Sequence, residues 1–159
     1  MVLLPLIRSK VDVPIIAAGG FIDGASMAAA FALGAEGIQL GTRMVSAAES
    51  PVHHNWKNAI VNAKETDTVF LNRKHSPALR ALRTDKTTQL ENEPDINALG
   101  EFNRLQDLYF GGDMESSIAL TGQVCGRIDA VRPVAEIIAE IRSQFFATVT
   151  QLRNSYPAQ

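Results

Sequence analysis

The chain has 159 residues, a formal net charge of −2 and 46% hydrophobic residues. That balance excludes a basic nucleic-acid module and a disordered tail. Its single cysteine, Cys125, excludes an internal disulfide and a cysteine metal site, and reads as a packed thiol in a reducing compartment.

Val2–Ile7 is far too short for a signal core or a membrane span, and Pro5 and Arg8 interrupt it. A cytoplasmic location is the expectation. Val13–Ala17 reads as a strand closing in Ala18-Gly19-Gly20. Asp23 is placed to cap a helix with Met27, Ala30, Phe31 and Gly34 at helical spacing, Gly34 serving as its stop. Gly37–Leu40 is a second apolar strand, closing in Gly41-Thr42. Strand, helix and strand make a βαβ unit with parallel strands, so both glycine loops emerge at one carboxyl edge. Glycine there lets backbone N–H groups converge on an anion with no Cβ in the way, and the following helices are expected to aim their positive ends at the same place. The pair reads as a phosphate cradle.

Spacing separates three architectures. A dinucleotide-binding fold requires G-x-G-x-x-G, whereas the chain has Gly19-Gly20-Phe21-Ile22-Asp23-Gly24. A P-loop requires Gly-Lys-Ser/Thr, which the sequence lacks. There remain the phosphate loops after the seventh and eighth strands of a (β/α)8 barrel, with ordinary turns as the bland alternative.

Farther along, Ser50-Pro51 suits a helix start, followed by an apolar stripe of Val52, Trp56, Ala59, Ile60 and Ala63. Thr68–Leu71 is β-like, and Ser76-Pro77 is expected to open a helix bearing Leu79, Arg80, Leu82 and Arg83. Thr84–Glu93 is polar and without period, hence a surface loop. Asp95 is placed to cap a helix with Ile96, Leu99, Phe102, Leu105 and Leu108 inward, ending at Gly111-Gly112. From Pro133 a helix of roughly six turns carries a stripe from Val134 to Tyr156, expected to pack within the chain rather than against a second subunit. His53, His54 and His75 lack partners at ligand spacing and read as surface or packing residues. Asp113 and Glu115 form no acid–base pair.

The runs Val2-Leu3-Leu4-Pro5, Val13-Pro14-Ile15-Ile16-Ala17-Ala18-Gly19-Gly20-Phe21 with Asp23-Gly24, Ala32-Leu33-Gly34-Ala35 and Gln39-Leu40-Gly41-Thr42-Arg43 resemble, in order and spacing, the nitronate monooxygenase (2-nitropropane dioxygenase) family. Glu49-Ser50-Pro51-Val52-His53 and Gly122-Gln123 with Gly126 and Ile128 look like further landmarks of that family. Met44 departs from it, standing where relatives usually have phenylalanine. The resemblance implies an FMN enzyme on a TIM barrel, with the cofactor held by Ala18, Gly19, Gly20, Gln39, Leu40, Gly41 and Thr42. Thr42 would add a hydroxyl donor, Gln39 would lie near the flavin, and Arg43 would either bring charge to the phosphate or hold a loop. The implied substrate is a small alkyl nitronate oxidised with O2. Related enzymes supply the alternatives, enoyl-acyl carrier protein reduction and NADH:quinone reduction.

A TIM barrel takes about 250 residues, and two barrel strands are legible here. The family's proposed base lies in a Gly-His motif, and no Gly-His pair occurs in this sequence. The expected fold is therefore α/β, the carboxyl-terminal part of a (β/α)8 barrel in one incomplete domain. Residues 1–66 would hold the last two βα units with the FMN loops, and 67–159 a mostly helical extension. Such a chain is expected to be inactive alone, and to form a homo-oligomer or need a complementing amino-terminal half, because two strands leave open edges. The reading from a different class is a non-catalytic remnant.

Overall fold

The computed structural model describes residues Met1–Pro157. In chain order the elements are α1 (Leu3–Arg8), β1 (Ile16–Ala18), α2 (Gly24–Ala32), β2 (Gly37–Gln39), α3 (Thr42–Val45), α4 (His54–Asn62), β3 (Thr68–Leu71), β4 (Leu79–Leu82), α5 (Asp85–Asn92), α6 (Leu105–Tyr109) and α7 (Val134–Ser155). Two 3₁₀ segments, Ala98–Arg104 and Gln123–Arg127, lie before and after α6. The chain divides into two compact units, Met1–Gly41 with Pro133–Gln159, and Thr42–Arg132.

In the first unit β1 and β2 pair in parallel, with Ile16 opposite Gly37, Ala17 opposite Ile38 and Ala18 opposite Gln39. One face is buried: Ala17, Ala30 and Ala35 form a core of small side chains packed by Leu4, Phe21, Phe31 and Ile38. The expected α2 is present with both of its signals. Asp23 accepts from the Ser26 amide at 2.7 Å, and Ser26 Oγ returns to the Asp23 amide at 3.3 Å, a reciprocal cap. At the other end Gly34 has φ +101°, its N–H donates to Phe31 O, and Ala35 N–H donates to Ala30 O. That pair of bonds satisfies carbonyls the helix leaves open.

α7 packs on α2 within this unit. Ile137 and Ile141 are buried, Gly24 N–H donates to Gln144 Oε1 at 3.1 Å, and the Phe31 and Phe145 rings meet edge-on at 5.4 Å. Ile138 is exposed, as are Phe146, Val149, Leu152 and Tyr156 farther on. Covering of the apolar stripe within the chain thus stops near Phe145.

The second unit corrects several expectations. Residues after Ser76-Pro77 form a strand, not a helix: β3 and β4 make an antiparallel hairpin with Val69 opposite Ala81 and Leu71 opposite Leu79. Val69, Leu71, Ala81, Ala98 and Ile118 then build a core joined by Leu79, Leu90 and Phe102. Thr84–Glu93 is helical over α5, because Thr84 and Thr87 form a reciprocal cap and the Glu115 carboxylate accepts from the amides of Asp85 and Lys86. Asp95 is no cap; it pairs with Lys74 Nζ at 2.7 Å, and Asn97 caps the 3₁₀ segment that precedes α6. The helix expected from Ser50 starts at His54, with His53 Nδ1 accepting from the Asn55 amide. Its Trp56 and Ile60 are buried as anticipated, Trp56 Nε1 donating to Thr121 Oγ1 at 3.2 Å. Beyond residue 66 the helical elements are joined by one hairpin, β3 with β4, that the sequence reading did not include. Among the described residues no helix is long and apolar enough to cross a membrane.

A Cβ on Gly24 would fall on the backbone of Gln144 and Phe145. Gly24→Ala is expected to part α2 from α7 and lower stability by about 3 kcal/mol, overpacking being typically worth that much. Urea unfolding followed by circular dichroism measures it, and an unchanged midpoint would show that α7 is not seated there.

Candidate phosphate-binding site

Because the parallel register ends with Ala18 opposite Gln39, the chain leaves both strands side by side. Gly19 and Gly20 follow β1 at φ +106° and +81°, a region L side chains rarely adopt. Leu40 and Gly41 follow β2. Ala18, Gly19, Gly20, Gln39 and Gly41 are exposed, and Leu40 is half-buried. A Cβ added to Gly19, Gly20 or Gly41 would meet nothing within 4 Å. The amides of Gly20 and Gly41 have no acceptor among the described residues. Two adjoining loops with open space and undischarged donors have the chemistry of an anion cradle. Gln39 stands across from Ala18 on the exposed side of the sheet, opposite to the Ala17 core face.

One expectation fails. The positive end of α2 is already occupied: Gly24 N–H goes to Gln144, and Ser26 N–H goes to the Asp23 carboxylate, which places negative charge at that terminus. α3 is a single turn of four residues. Attraction for an anion therefore rests on the loop amides and not on helix ends.

Thr42 opens the second unit, and its Oγ1 accepts from the Gly122 amide at 2.9 Å. Arg43 is buried, with Nη1 donating to Ala130 O at 2.9 Å and to Ser46 Oγ at 3.4 Å. It acts as a brace for the backbone. Ala48 N–H also donates to Arg132 O at 2.9 Å, so three bonds tie the start of this unit to its end. Sequence reasoning could not find these partners, which stand 80 and 87 positions apart with no local signal.

The other chemically active side chains have structural work. His53 is the α4 cap, its ring centroid 4.1 Å from that of His54. His75 Nε2 lies 3.0 Å from Asp95 O. A hydrogen bond and then the charge of Lys74 hold the Asp95 carboxyl below the usual carboxylate range. Burial pushes the Cys125 thiol up, which keeps it protonated and inert. Among the described residues no three His, Cys, Asp or Glu side chains gather to hold a metal ion.

The sequence profile of the nitronate monooxygenase family matches residues 1–144. The chain belongs to the nitronate monooxygenase family. Within it, a probable nitronate monooxygenase of Staphylococcus saprophyticus is 43% identical over 72 residues, which are 45% of this chain and 20% of the relative. A probable nitronate monooxygenase of Staphylococcus aureus is 46% identical over 68 residues, 43% of this chain and 19% of the relative. Among solved structures, FabK from Thermotoga maritima superposes with a TM-score of 0.90 at 39% identity, over 98% of this chain and 51% of FabK. Nitroalkane oxidase from Streptomyces ansochromogenes, at 24% identity and a TM-score of 0.75 over 94% of this chain and 44% of its own, shares the fold. The chain spans about half the length of these two solved proteins.

Arg43→Leu removes the charged donor to the part-buried Ala130 O, at a cost of about 2 kcal/mol. Thermal melting of the variant is expected to fall accordingly. An unchanged melt would show that the guanidinium braces nothing.

Proposed function

We propose that this chain anchors the phosphate of FMN in a flavin-dependent oxidoreductase of the nitronate monooxygenase type, acting on small alkyl nitronates with O2. The observation that carries the reading is the parallel register of β1 and β2, which sets two open glycine loops side by side with the Gly20 and Gly41 amides undischarged. On this reading residues 1–66 are the last two βα units of a (β/α)8 barrel. The backbone of Ala18, Gly19, Gly20, Leu40 and Gly41 holds the phosphate, and Gln39 lies toward the ring.

The residues present fit the group. A dianion needs several converging donors and no intruding Cβ, and the loops offer both without a basic side chain. FMN would supply the electron transfer that side chains cannot perform. This chain's own part is to bind and orient; it carries no Gly-His pair. On this reading proton abstraction falls to a complementing amino-terminal half.

Gly41→Val tests the cradle. Its Cβ has open space, so the fold should tolerate it, while the branched side chain blocks backbone approach to the phosphate. The expectation is FMN binding weakened by at least tenfold with an unchanged melt, read by flavin fluorescence titration. Equal FMN binding by variant and parent would sink the reading. Gly20→Val is the poorer probe, because φ +81° adds backbone strain of its own. With flavin bound and a complementing amino-terminal half present, nitronate-dependent oxygen uptake supports the substrate class, and reduction of an enoyl thioester in its place would overturn it.

A further inference from the structure

We propose that the open edge of β1, with the apolar groove beside it, is the seat of a parallel strand supplied by the complementing half-chain. The inference rests on the reading of β1 and β2 as barrel strands and adds to it the surface through which the remainder is joined.

The groove lies wholly within the first unit, between α1, β1 and α2. Its volume is about 460 Å³, its walls include Leu3, Leu4, Ile7, Ile16, Phe21 and Leu33, and Ser26 is the one polar residue that lines it. α1 is apolar at four of its six positions, yet it buries none of them. Leu3, Leu6 and Ile7 stand three and four residues apart, on one side of the helix. All three are exposed, as are Val13 and Ile16, with Leu3 at 70% and Ile16 at 68%. An apolar surface of that kind marks a contact with another protein.

The backbone says what kind of contact it is. β1 has β2 as its one strand neighbour among the described residues, so its other edge offers N–H and C=O groups to an incoming strand. A segment laid there extends the ladder while alternate side chains enter the groove. Its direction follows from α1. Parallel strands need a crossover helix between them, and α1 precedes β1 in the chain and flanks the groove beside it, as the crossover from a parallel neighbour does.

Other occupants fit less well. A bilayer surface calls for basic residues around the apolar patch, whereas Arg8 lies 3.9 Å from the Asp12 carboxylate. A second copy related by a two-fold axis sets β1 against β1 antiparallel, a pairing that gives α1 no strand to cross from. The superposition supplies the size of the partner: FabK matches 98% of this chain with 51% of its own, which leaves about as much again.

The probe is the half of Thermotoga maritima FabK that lies outside this superposition, co-expressed with the tagged chain and without added FMN. A one-to-one complex by light scattering is the expected result, with hydrogen exchange slowed at Ile16–Ala18. Ile16→Glu and Leu3→Glu each put a carboxylate where the strand has to lie, and recovered complex should fall at least about tenfold. Phe110→Glu, at an exposed ring of the second unit, should leave the yield as in the parent. Both groove variants replace exposed side chains, so their melts should match the parent's, and if one fails to fold the other carries the comparison.

No complex, or a complex indifferent to the groove variants and with unprotected Ile16–Ala18 amides, overturns the proposal. A dimer of the chain alone that Ile16→Glu returns to monomer assigns the groove to a second copy and overturns it too, as does binding to phosphatidylglycerol vesicles that Leu3→Glu abolishes. Failure of the FMN reading looks different. A groove-dependent complex in which Gly41→Val binds FMN as the parent does keeps the strand seat and sinks the cradle, whereas FMN binding that Gly41→Val weakens, in a chain that forms no complex, does the reverse.

Discussion

Parallel pairing of β1 with β2 is the constraint on which the rest of the first unit depends. Parallel strands cannot be joined by a short turn, so a helix must cross between them, and its two ends are then fixed by the strand ends. The layer between helix and sheet is thin. Ala17, Ala30 and Ala35 fill it, which lets α2 lie close to the strands and leaves Phe21, Phe31 and Leu4 to close the sides. Little apolar area is involved in three alanines, so close approach matters more here than bulk.

The same economy pre-shapes the first loop. Gly19 and Gly20 take their positive φ values, Phe21 turns into the core, and Asp23 closes the helix cap, so every position between strand and helix has a local reason for its conformation. A loop held at both ends has little conformational freedom left to lose. The Asp23 carboxylate works in the opposite electrostatic sense, and that cost falls on the side of the helix terminus rather than on the glycine amides.

Legibility in the sequence followed the range of the interactions. The βαβ unit could be read because its signals are local: Asp23 and Ser26 are three residues apart, and Gly34 marks its own position. The long helix α7 could be read from its periodicity, yet which part of it is covered depends on Gly24 and Phe31, more than a hundred residues earlier. The β3–β4 hairpin was hidden because Ser76-Pro77 carries the chemistry of a helix start, while the decision for a strand lies in the partners Thr68–Leu71. α5 was hidden for another reason. It lacks a strong apolar face, and its ends are secured by Thr84, Thr87 and the distant Glu115. The glycine loops could be read from their own residues, whereas Gly122 stood in the sequence as a family landmark, and its amide bond to Thr42 lies 80 positions from its partner.

The three bonds that join Thr42, Arg43 and Ala48 to Gly122, Ala130 and Arg132 make the second unit a loop closed at its own neck. Chain entering and leaving through one pinned gateway behaves like an insertion, and closing a longer loop costs only a logarithmic increment in entropy. Between the hairpin and α6, Leu90, Ala98 and Phe102 belong to the core of this unit, so tolerance of insertion falls to its exposed connections. Such a gateway fixes where the chain enters and leaves this unit, whatever the length of the path between.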